Sequence, residues 1–223
     1  MDRTALVHYH EIGLKGRNRG DFERRLETNL RRACIGLTDG RVRRIASRLL
    51  VPVTDPAHAE EVLAAVARTP GVSHLGYAAE CDRTPEAIEE AALLVVAEET
   101  ARREAVGEPP PATFAVESRR SATDYAESSL EMNRRIGAAI QAATGLAVDL
   151  SVPDLTCRVE VVQARGYAYA RRIDGPGGLP VGVSGTVVAL MSAGIDSPVA
   201  AWRMIKRGAT VVGVHFSGRP QTP

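Results

Sequence analysis

The segment from Thr186 to Pro198 has the residue types and the order that binding of a phosphate would need. A nearly continuous apolar stretch, Thr186 to Met191, leads into the loop Ser192-Ala193-Gly194-Ile195-Asp196-Ser197-Pro198, after which a helix is predicted. In this arrangement, consecutive backbone N–H groups and the positive end of the helix dipole converge on one anion. Pro198 suits the first helical turn because it has no N–H group to leave unpaired. An ordinary strand-to-helix turn, with Ser and Asp serving only as caps, is the alternative.

The loop differs from the commonest nucleotide motifs. The chain contains no Gly-Lys-Ser/Thr, which excludes a Walker A loop, and no Gly-x-Gly-x-x-Gly, which excludes the dinucleotide fingerprint. It resembles the Ser-Gly-Gly-x-Asp-Ser loop of the PP-loop ATP pyrophosphatases, with Ala193 where the first Gly is usual. An alanine is tolerable there if its φ is negative and costly if φ must be positive, so phosphate affinity depends on that angle.

A second strand is expected over Ala209 to Phe216, after the helix. Strand–helix–strand crossovers are right-handed and return to the same sheet, so the two strands should be parallel. His215 and Phe216 would then lie at the carboxyl end of the strand, beside the loop, where open α/β sheets bind ligands. A lone histidine at such a place is more often structural than catalytic.

Upstream of residue 174 the sequence alternates between helical and extended patterns. The extended patterns predict strands over 5–10, 42–53, 72–79, 113–117, 146–150, 156–163 and 167–173. The helical patterns predict helices over 18–33, 56–67, 85–105 and 129–143, the last with Gly145 as its C-cap. The linker Gly175-Pro176-Gly177-Gly178 is the clearest domain boundary.

The composition indicates a folded protein that does not span a membrane. Of the 223 residues 44% are hydrophobic, which is enough for a core. The longest apolar run, Ala91 to Ala97, is far shorter than the roughly 20 residues of a membrane span. Cys34, Cys81 and Cys157 are far apart and form no Cys-x-x-Cys pair, which argues against a disulfide framework and a zinc site. Since no secretory signal is visible, we expect a cytoplasmic protein with reduced, mostly buried thiols and no metal-ligating cluster.

Charge is distributed unevenly along the chain. Basic and acidic residues number twelve and six over 1–50, four and twelve over 51–111, eight and eight over 112–183, and four and one over 184–223. The basic first segment beside an acidic one suggests a surface that meets a polyanion at one end of the molecule. A solvated basic face is an equally simple interpretation.

Further motifs, taken in chain order, resemble one family. His10-Glu11-Ile12-Gly13-Leu14-Lys15-Gly16-Arg17-Asn18-Arg19, with Phe22-Glu23, is similar to the N-terminal ferredoxin-like domain of the tRNA 4-thiouridine synthases, the ThiI family, where Gly is usual in place of His10. Residues 114–120, 129–137 and 148–154 resemble a THUMP domain. Residues 191–200 and 214–216 resemble the adenylation domain of the same family, so the resemblance spans essentially the whole chain.

The resemblance implies an α+β N-terminal ferredoxin-like domain and a THUMP domain, followed by the start of an α/β PP-loop (Rossmann-like) ATP pyrophosphatase domain. We place these at residues 1–56, 57–173 and 184–223, with a linker at 174–183. The last domain is expected to be incomplete, because two strands and one helix scarcely cover both faces of an open sheet. The family's sulfur-relay cysteine and its further nucleotide contacts lie beyond this segment, so none of the three cysteines is assigned to catalysis.

The resemblance further implies an ATP-dependent tRNA sulfurtransferase. Such an enzyme adenylates the carbonyl oxygen of uridine 8 in tRNA and releases pyrophosphate, and a persulfide sulfur from a cysteine desulfurase then displaces AMP to give 4-thiouridine. ATP and Mg²⁺ are the implied cofactors, and tRNA and the cysteine desulfurase are the implied partners. A homodimer is allowed, a role in thiamine sulfur supply is open, and no membrane partner is expected.

The same resemblance assigns candidate residues. Catalysis is assigned to Ser192 and Asp196. Nucleotide contacts are assigned to Leu190, Met191, Ser192, Gly194, Asp196, Ser197, His215 and Phe216. RNA contacts are expected from Lys15, Arg17, Asn18, Arg19, Arg119, Arg120, Asn133 and Arg134. Arginine forks suit phosphates, and acceptor stems are recognised largely by shape and backbone. Each arginine taken singly is more simply a solvated charge, and Leu190 and Met191 are equally well explained as core residues of a strand.

Two functions therefore stand at the level of sequence. The first is an ATP-dependent tRNA sulfurtransferase, of which this chain is the N-terminal part. The second is a non-catalytic tRNA-binding module, because the PP-loop domain is truncated. A small-molecule PP-loop ligase is a third class, which would share the loop but would have no use for the upstream domains.

Overall fold

The computed structural model describes residues 1–121 and 124–216, so the last seven residues of the predicted adenylation segment lie outside the described residues. Its strands are β1 (Asp2–His8), β2 (Arg43–Ile45), β3 (Arg48–Val53), β4 (His74–Asp82), β5 (Thr113–Arg120), β6 (Ala147–Val148), β7 (Leu155–Val162), β8 (Arg165–Tyr169), β9 (Arg172–Asp174), β10 (Thr186–Leu190) and β11 (Thr210–Val214). Its α-helices are α1 (Arg19–Ala33), α2 (Ala59–Ala67), α3 (Pro85–Ala105), α4 (Ser129–Thr144) and α5 (Asp196–Lys206). The mixed α/β architecture that the resemblance implied is confirmed.

The first half of the chain is built from β1, α1, the β2–β3 hairpin, α2 and β4. Strand β1 pairs antiparallel with β3 on one edge and with β4 on the other. Helix α1 follows the predicted pattern, since Leu26 and Leu30 recur on one face and both are fully buried. They pack with Val62 and Leu63 of α2 in a first hydrophobic core. This is the ferredoxin-like arrangement.

The second half begins with α3, whose observed bounds are those that the sequence predicts. Thr84 caps it by accepting a hydrogen bond from the Ala87 N–H group, and Pro85 occupies the first turn. Helix α4 begins with a capping box between Ser128 and Glu131 and ends at Gly145, whose φ of 72° confirms the predicted C-cap. Both helices pack on β4, β5, β7 and β8 around a second core.

Strand β4 joins the two halves into one sheet, ordered β2-β3-β1-β4-β8-β7-β5-β6, with β9 also paired to β4. Leu75 and Tyr77 on one face of β4 pack in the first core, and Ala79 and Cys81 on the same face pack in the second core. Side chains alternate across a strand, so all four helices α1 to α4 cover this one face of the sheet. The opposite face has no helix among the described residues.

The helix-free face of the sheet is concave. Arg48 on β3 forms an ion pair with Glu160 on β7, although β1, β4 and β8 lie between these strands in the sheet. Such a contact requires the sheet to curl toward its helix-free side. A third cluster lies inside the curve, where Leu6, Leu50 and Tyr167 are nearly or fully buried. We call this side of the sheet the concave face.

The predicted division after residue 56 separates β3 from α2, whereas the first core includes residues on both sides of it. Val51 and Val53 of β3 pack with Val62 and Val66 of α2, and Leu75 of β4 belongs to the same cluster. The physical reason is that α2 needs the β1–β3 sheet to cover its apolar face. The ferredoxin-like unit therefore extends through α2 to β4.

The predicted single strand over 42–53 is a hairpin instead. Strands β2 and β3 pair antiparallel through a turn at Ala46 and Ser47, whose φ angles are 30° and 72°. Two consecutive positive φ angles are typical of a tight hairpin turn, for which glycine or asparagine is usual. Because neither residue is present at this turn, the sequence pattern did not indicate it.

The glycine-rich linker is packed against the rest of the chain rather than extended away from it. The Gly175 and Gly177 N–H groups donate to Ser73 O and Val72 O, and the Leu179 N–H group donates 2.9 Å to Lys206 O at the end of α5. A Cβ atom on Gly178 would lie 2.2 Å from that Lys206 oxygen. We call residues 175–182 the strap, because they tie α5 to the ferredoxin-like unit.

Beyond the strap, β10, α5 and β11 form a strand–helix–strand unit. The two strands are parallel, as predicted, with Val187 opposite Val211 and Leu190 opposite Val214. Much of its apolar surface is uncovered by described residues: Val188 is 65% exposed and Leu190 is 67% exposed. The Asn29 side chain donates to Val181 O, which attaches the end of the strap to α1.

Candidate functional site

The loop between β10 and α5 is held by its own serines. The Ser192 N–H group donates 3.0 Å to Ser197 Oγ, and the two hydroxyl oxygens lie 3.2 Å apart. The Gly194 N–H group lies 3.4 Å from Ser192 Oγ. Helix α5 begins at Asp196, so these contacts bend the loop back over the first turn of the helix. The predicted strand, loop and helix start are thereby placed as the sequence indicated.

Ala193 causes no backbone strain in this loop. The non-glycine residues with positive φ in the described part are Ala46, Ser47 and Gln163, so the φ of Ala193 is in the ordinary negative range. Gly194 also has no positive φ, and a Cβ atom there would meet only Ser192 Oγ at 3.6 Å. The extra methyl group of Ala193 is therefore compatible with the same loop conformation.

The loop offers unpaired donors to an anion. The N–H groups of Ala193, Ile195 and Asp196 donate to no atom of the described residues. All three residues are exposed, and they stand at the N-terminal end of an 11-residue helix. A helix N-terminus with free amides carries partial positive charge, which is the electrostatic requirement of a phosphate site.

The remaining nucleotide candidates lie around the same loop. The Met191 N–H group donates to Val214 O, and the His215 Nδ1 atom is 2.9 Å from Met191 O. Since a carbonyl oxygen only accepts, Nδ1 is the donor in this contact. Phe216 and Leu190 are exposed beside the loop, at 79% and 67%. The structure thus places all the predicted nucleotide residues at one sheet edge, with His215 also in a structural role.

The RNA candidates of the first segment divide into two groups. Arg17 and Asn18 are exposed, and they form no side-chain ion pair or hydrogen bond with described residues. Arg19 is held internally, because it donates 2.8 Å to Glu23 Oε1 and 2.9 Å to Tyr9 Oη. Lys15 is half-buried, with its ammonium 5.3 Å from the centre of the Phe22 ring. Arg17 and Asn18 are therefore the members of this set best placed for an outside partner.

The candidates of the second segment divide in the same way. Arg120 donates to Tyr125 O and Asn133 accepts from the Ser118 N–H group, so both hold the fold together. Arg134 is exposed on α4 without an ion pair to a described residue. Arg119 lies on the concave face, where it lines a cavity with His10, His74, Arg158 and Arg172.

Sequence reasoning missed the other members of that cavity. His10, His74, Arg158 and Arg172 come from four different elements, and their proximity depends on the pairing of distant strands. A signal existed in the alternation Glu117-x-Arg119 and Arg158-x-Glu160, since charges at every second residue predict a polar sheet face. Within the part of the chain that the structure describes, no group of three or more His, Cys, Asp or Glu side chains could hold a metal ion.

The three cysteines are buried thiols. Cys34, Cys81 and Cys157 are 2%, 5% and 0% exposed, and none is in a disulfide. Burial raises the pKa of Cys81 to about 11 and that of Cys157 to about 12. A thiol with so high a pKa carries almost no thiolate at neutral pH, so none of the three is a nucleophile in the folded chain.

We expect an aromatic disulfide reagent at pH 8 to label these thiols only as fast as the protein opens. The folded chain should therefore release chromophore at least about 100-fold more slowly than the chain in 6 M guanidinium chloride, since both access and the raised thiol pKa oppose attack. Immediate release of one equivalent from the folded wild type would contradict the assignment.

Three family models match successive parts of the chain. The ThiI ferredoxin-like domain matches residues 4–76, the THUMP domain matches residues 82–169, and the model described as thiamine biosynthesis protein (ThiI) matches residues 182–223. Both the order and the boundaries agree with the two halves of the sheet and with the unit after the strap. No helix of the described residues is long and apolar enough to cross a membrane.

Individual proteins and structures show the same similarity. The chain is 35% identical to a probable tRNA sulfurtransferase of Natranaerobius thermophilus, over 100% of this chain and 54% of that protein, and 38% identical to one of Brevibacillus brevis, over 98% and 53%. A crystal structure of a 4-thiouridine synthetase–RNA complex with bound ATP matches with a TM-score of 0.83 and 32% identity, over 99% and 54%. A crystal structure of a Pyrococcus horikoshii protein matches with a TM-score of 0.84 and 27% identity, over 100% and 71%.

The fold and the loop together define a THUMP-domain protein in which a ferredoxin-like unit precedes the THUMP domain and a parallel strand–helix–strand unit follows it. The chain belongs to the ThiI family, and it spans about half the length of the curated relatives that it matches.

Proposed function

We propose that the chain provides the RNA-binding domains and the phosphate loop of an ATP-dependent tRNA sulfurtransferase, which converts uridine 8 of tRNA to 4-thiouridine. The observation that carries the proposal is the loop at residues 192–198, where unpaired amides lie at the N-terminal end of α5. The strap ties the C-terminal end of α5, the helix that follows this loop, to the ferredoxin-like unit. Relatives named probable tRNA sulfurtransferases support the reaction, and the structural neighbour described as an RNA complex with bound ATP supports both ligands.

The residues present fit a triphosphate. ATP with Mg²⁺ would supply the AMP group that turns the uracil oxygen into a leaving group. The unpaired amides of Ala193, Ile195 and Asp196 and the hydroxyl groups of Ser192 and Ser197 would hold the phosphates. The Asp196 carboxylate is the kind of oxygen ligand that Mg²⁺ prefers. Leu190, Met191, His215 and Phe216 would flank the nucleoside through apolar and main-chain contacts.

Sulfur must come from outside the described residues, because all three of their thiols are buried. In the proposal, a cysteine desulfurase delivers a persulfide, whose terminal sulfur bonds to C4 of the activated uracil and displaces AMP. A second thiol, from outside the described residues, then breaks the S–S bond, which leaves the outer sulfur on the base and a disulfide between the two thiols. Arg17, Asn18, Arg119 and Arg134 would contact the tRNA backbone, with Lys15, Arg19, Arg120 and Asn133 shaping that surface from beneath. Sulfur supply for thiamine is a second expected role of the same family.

The test compares tRNA and ATP binding in one variant. We expect Asp196→Ala to weaken Mg-ATP binding at least about tenfold, since a charge-assisted contact is lost, and to leave tRNA affinity within about twofold. Filter binding with a tRNA transcript and calorimetry with Mg-ATP measure the two affinities. In a thiolation assay of a complete family protein that carries this sequence, the same variant should give no 4-thiouridine. Equal loss of both ligands would contradict the division of labour.

One observation favours a second candidate, a non-catalytic tRNA-binding module. The loop and its neighbours are open to solvent, and the described residues do not enclose a nucleotide between them. If wild type binds tRNA with strong salt dependence but binds no ATP, the second candidate is supported.

A further inference from the structure

The concave face contains a cavity of about 190 Å³ at the edge of the third cluster. Its lining includes three guanidinium groups, from Arg119, Arg158 and Arg172, and two imidazoles, from His10 and His74. Two carboxylates, Glu117 and Glu160, complete the charged lining. The cavity therefore brings residues of both the ferredoxin-like and the THUMP units to one point.

The carboxylates leave part of the positive charge uncompensated. Glu117 forms an ion pair with Arg158 at 3.2 Å. Glu160 forms an ion pair with Arg48, which lies on the concave face but does not line the cavity. Among the residues that the structure describes, Arg172 has only the exposed Asp174 as a partner, and Arg119 forms no ion pair. Two guanidinium groups are thus available to an anion that enters the cavity.

The histidines form a stacked cluster at the same place. His8 and His74 are directly opposite in the β1–β4 ladder, and their rings lie 4.4 Å apart and nearly parallel. The His10 ring is 6.2 Å from the His74 ring, and Ser73 Oγ lies 3.4 Å from Nδ1 of each. Close stacking of this kind is compatible with neutral rings and opposed when both rings are protonated.

We propose that this cavity binds one phosphate group, held by the Arg119 and Arg172 guanidinium groups, with His74 as a donor that takes up a proton when the phosphate enters. This inference deepens the proposed function, because it assumes that RNA is the macromolecule that carries the phosphate. Guanidinium forks match the tetrahedral oxygens of a phosphate, and imidazolium adds a charge-assisted hydrogen bond. Free inorganic phosphate has the same chemistry and serves as the small probe.

Proton uptake follows from the surroundings of His74. His8 and His10 face it from β1 and the turn that follows, and Arg172 and Asp174 face it from β9. Glu117, Arg119, Arg158, Glu160 and Tyr169 line the same cavity from β5, β7 and β8. Burial, together with His8, Arg172 and His10, lowers the pKa of His74 to about 4, so it is neutral at pH 7.

A bound anion offsets these causes and raises the His74 pKa, and by linkage the anion binds more tightly as pH falls. If the pKa returned to its ordinary value near 6.5, affinity would rise roughly 20-fold between pH 7 and pH 5. The sign is fixed by the direction of the shift: protonation of His74 favours the bound state, and the gain is absent above about pH 7.5.

RNA binding by the 223-residue chain tests the proposal. At pH 6 we expect Arg119→Gln to weaken binding of a tRNA transcript about tenfold, and His74→Gln to remove most of the pH-dependent gain. Arg32→Gln, an exposed arginine on α1 away from the cavity, is the matched control and should bind as wild type does. Circular dichroism at each pH verifies that the variants are folded. Because the Arg119 side chain is exposed, Arg119→Lys provides a second variant of the same site.

Inorganic phosphate provides the arm that does not depend on RNA. Imidazole NMR resonances of wild type should shift with phosphate and give a higher His74 pKa, whereas Arg119→Gln should show no such shift. If RNA binds but the Arg119 and His74 variants match wild type in both arms, the cavity proposal is overturned and the proposed function stands. If RNA does not bind but phosphate shifts His74, the proposed function fails and the phosphate site stands.

Discussion

Replacement of Glu160 by alanine is expected to lower the free energy of unfolding by about 3 to 5 kcal/mol, because it breaks a buried ion pair. Glu160 is 3% exposed and accepts hydrogen bonds from Arg48 and, at 3.0 Å, from Tyr169. His8 Nε2 lies 3.1 Å from Oε1, the carboxylate oxygen that also accepts from Tyr169. Removing the carboxylate leaves the Arg48 charge, which is 12% exposed, without its partner. Urea denaturation with an unchanged m-value measures the loss.

Glu117→Ala is the matched control for that change. Glu117 also pairs with an arginine on the concave face, but its side chain is 51% exposed, so its loss should cost at most about 1 kcal/mol. The pH dependence gives a second check. Burial alone would raise the pKa of Glu160, but His8, Arg48 and Tyr169 together lower it to about 2. Its stabilisation is therefore complete above about pH 4.5 and lost as pH falls toward 2, and Glu160→Ala should flatten that limb. Equal costs for the two variants would contradict this account.

Gly178→Ala is expected to weaken the attachment of α5 by about 3 kcal/mol, because two costs coincide. Gly178 has a φ of 76°, which an alanine adopts only with strain, and its Cβ would meet Lys206 O at 2.2 Å. Relief of that clash breaks the hydrogen bond from the Leu179 N–H group to the same oxygen. Amide exchange in α5 should become roughly 100-fold faster, while exchange in β1 should not change.

Gly177→Ala separates the two costs. Gly177 has a similar φ of 65°, but no atom lies within 4 Å of its Cβ position. The expected cost is only the conformational strain, about 1 kcal/mol. A Gly178→Ala variant that exchanges no faster than Gly177→Ala would show that the strap does not hold α5.

The sequence predicted those helices whose ends are set by a cap or turn in the adjacent residues. Thr84 with Pro85 begins α3, Gly145 ends α4, and the loop from Ser192 precedes α5, because caps and turns depend on contacts a few residues apart. The single strand predicted over 42–53 was wrong. The chain turns at Ala46 and Ser47, where the pairing of β2 with β3 imposes positive φ angles on residues that do not favour them.

The candidate site was predictable in part for the same reason. Residues 190–198 are contiguous, so their joint position follows from one strand, one turn and one helix. Arg19, Arg120 and Asn133 have the residue types of RNA contacts, but their internal bonds depend on neighbours that only the folded chain brings near. The cavity at His74 was missed because strand order, which no local pattern encodes, decides which distant charges meet.

Strand β4 is hydrogen-bonded along both edges, to β1 over residues 74–80 and to β8 and β9 over residues 79–82 and 74–76. A hinge motion between the ferredoxin-like and THUMP units would have to break the hydrogen bonds of one of these ladders. The two units should therefore move as one rigid body. A rigid template of this kind sets a fixed spacing between its ends. An elongated ligand that contacts both ends must have a length that matches this spacing, because the protein does not bend to fit a longer or shorter one.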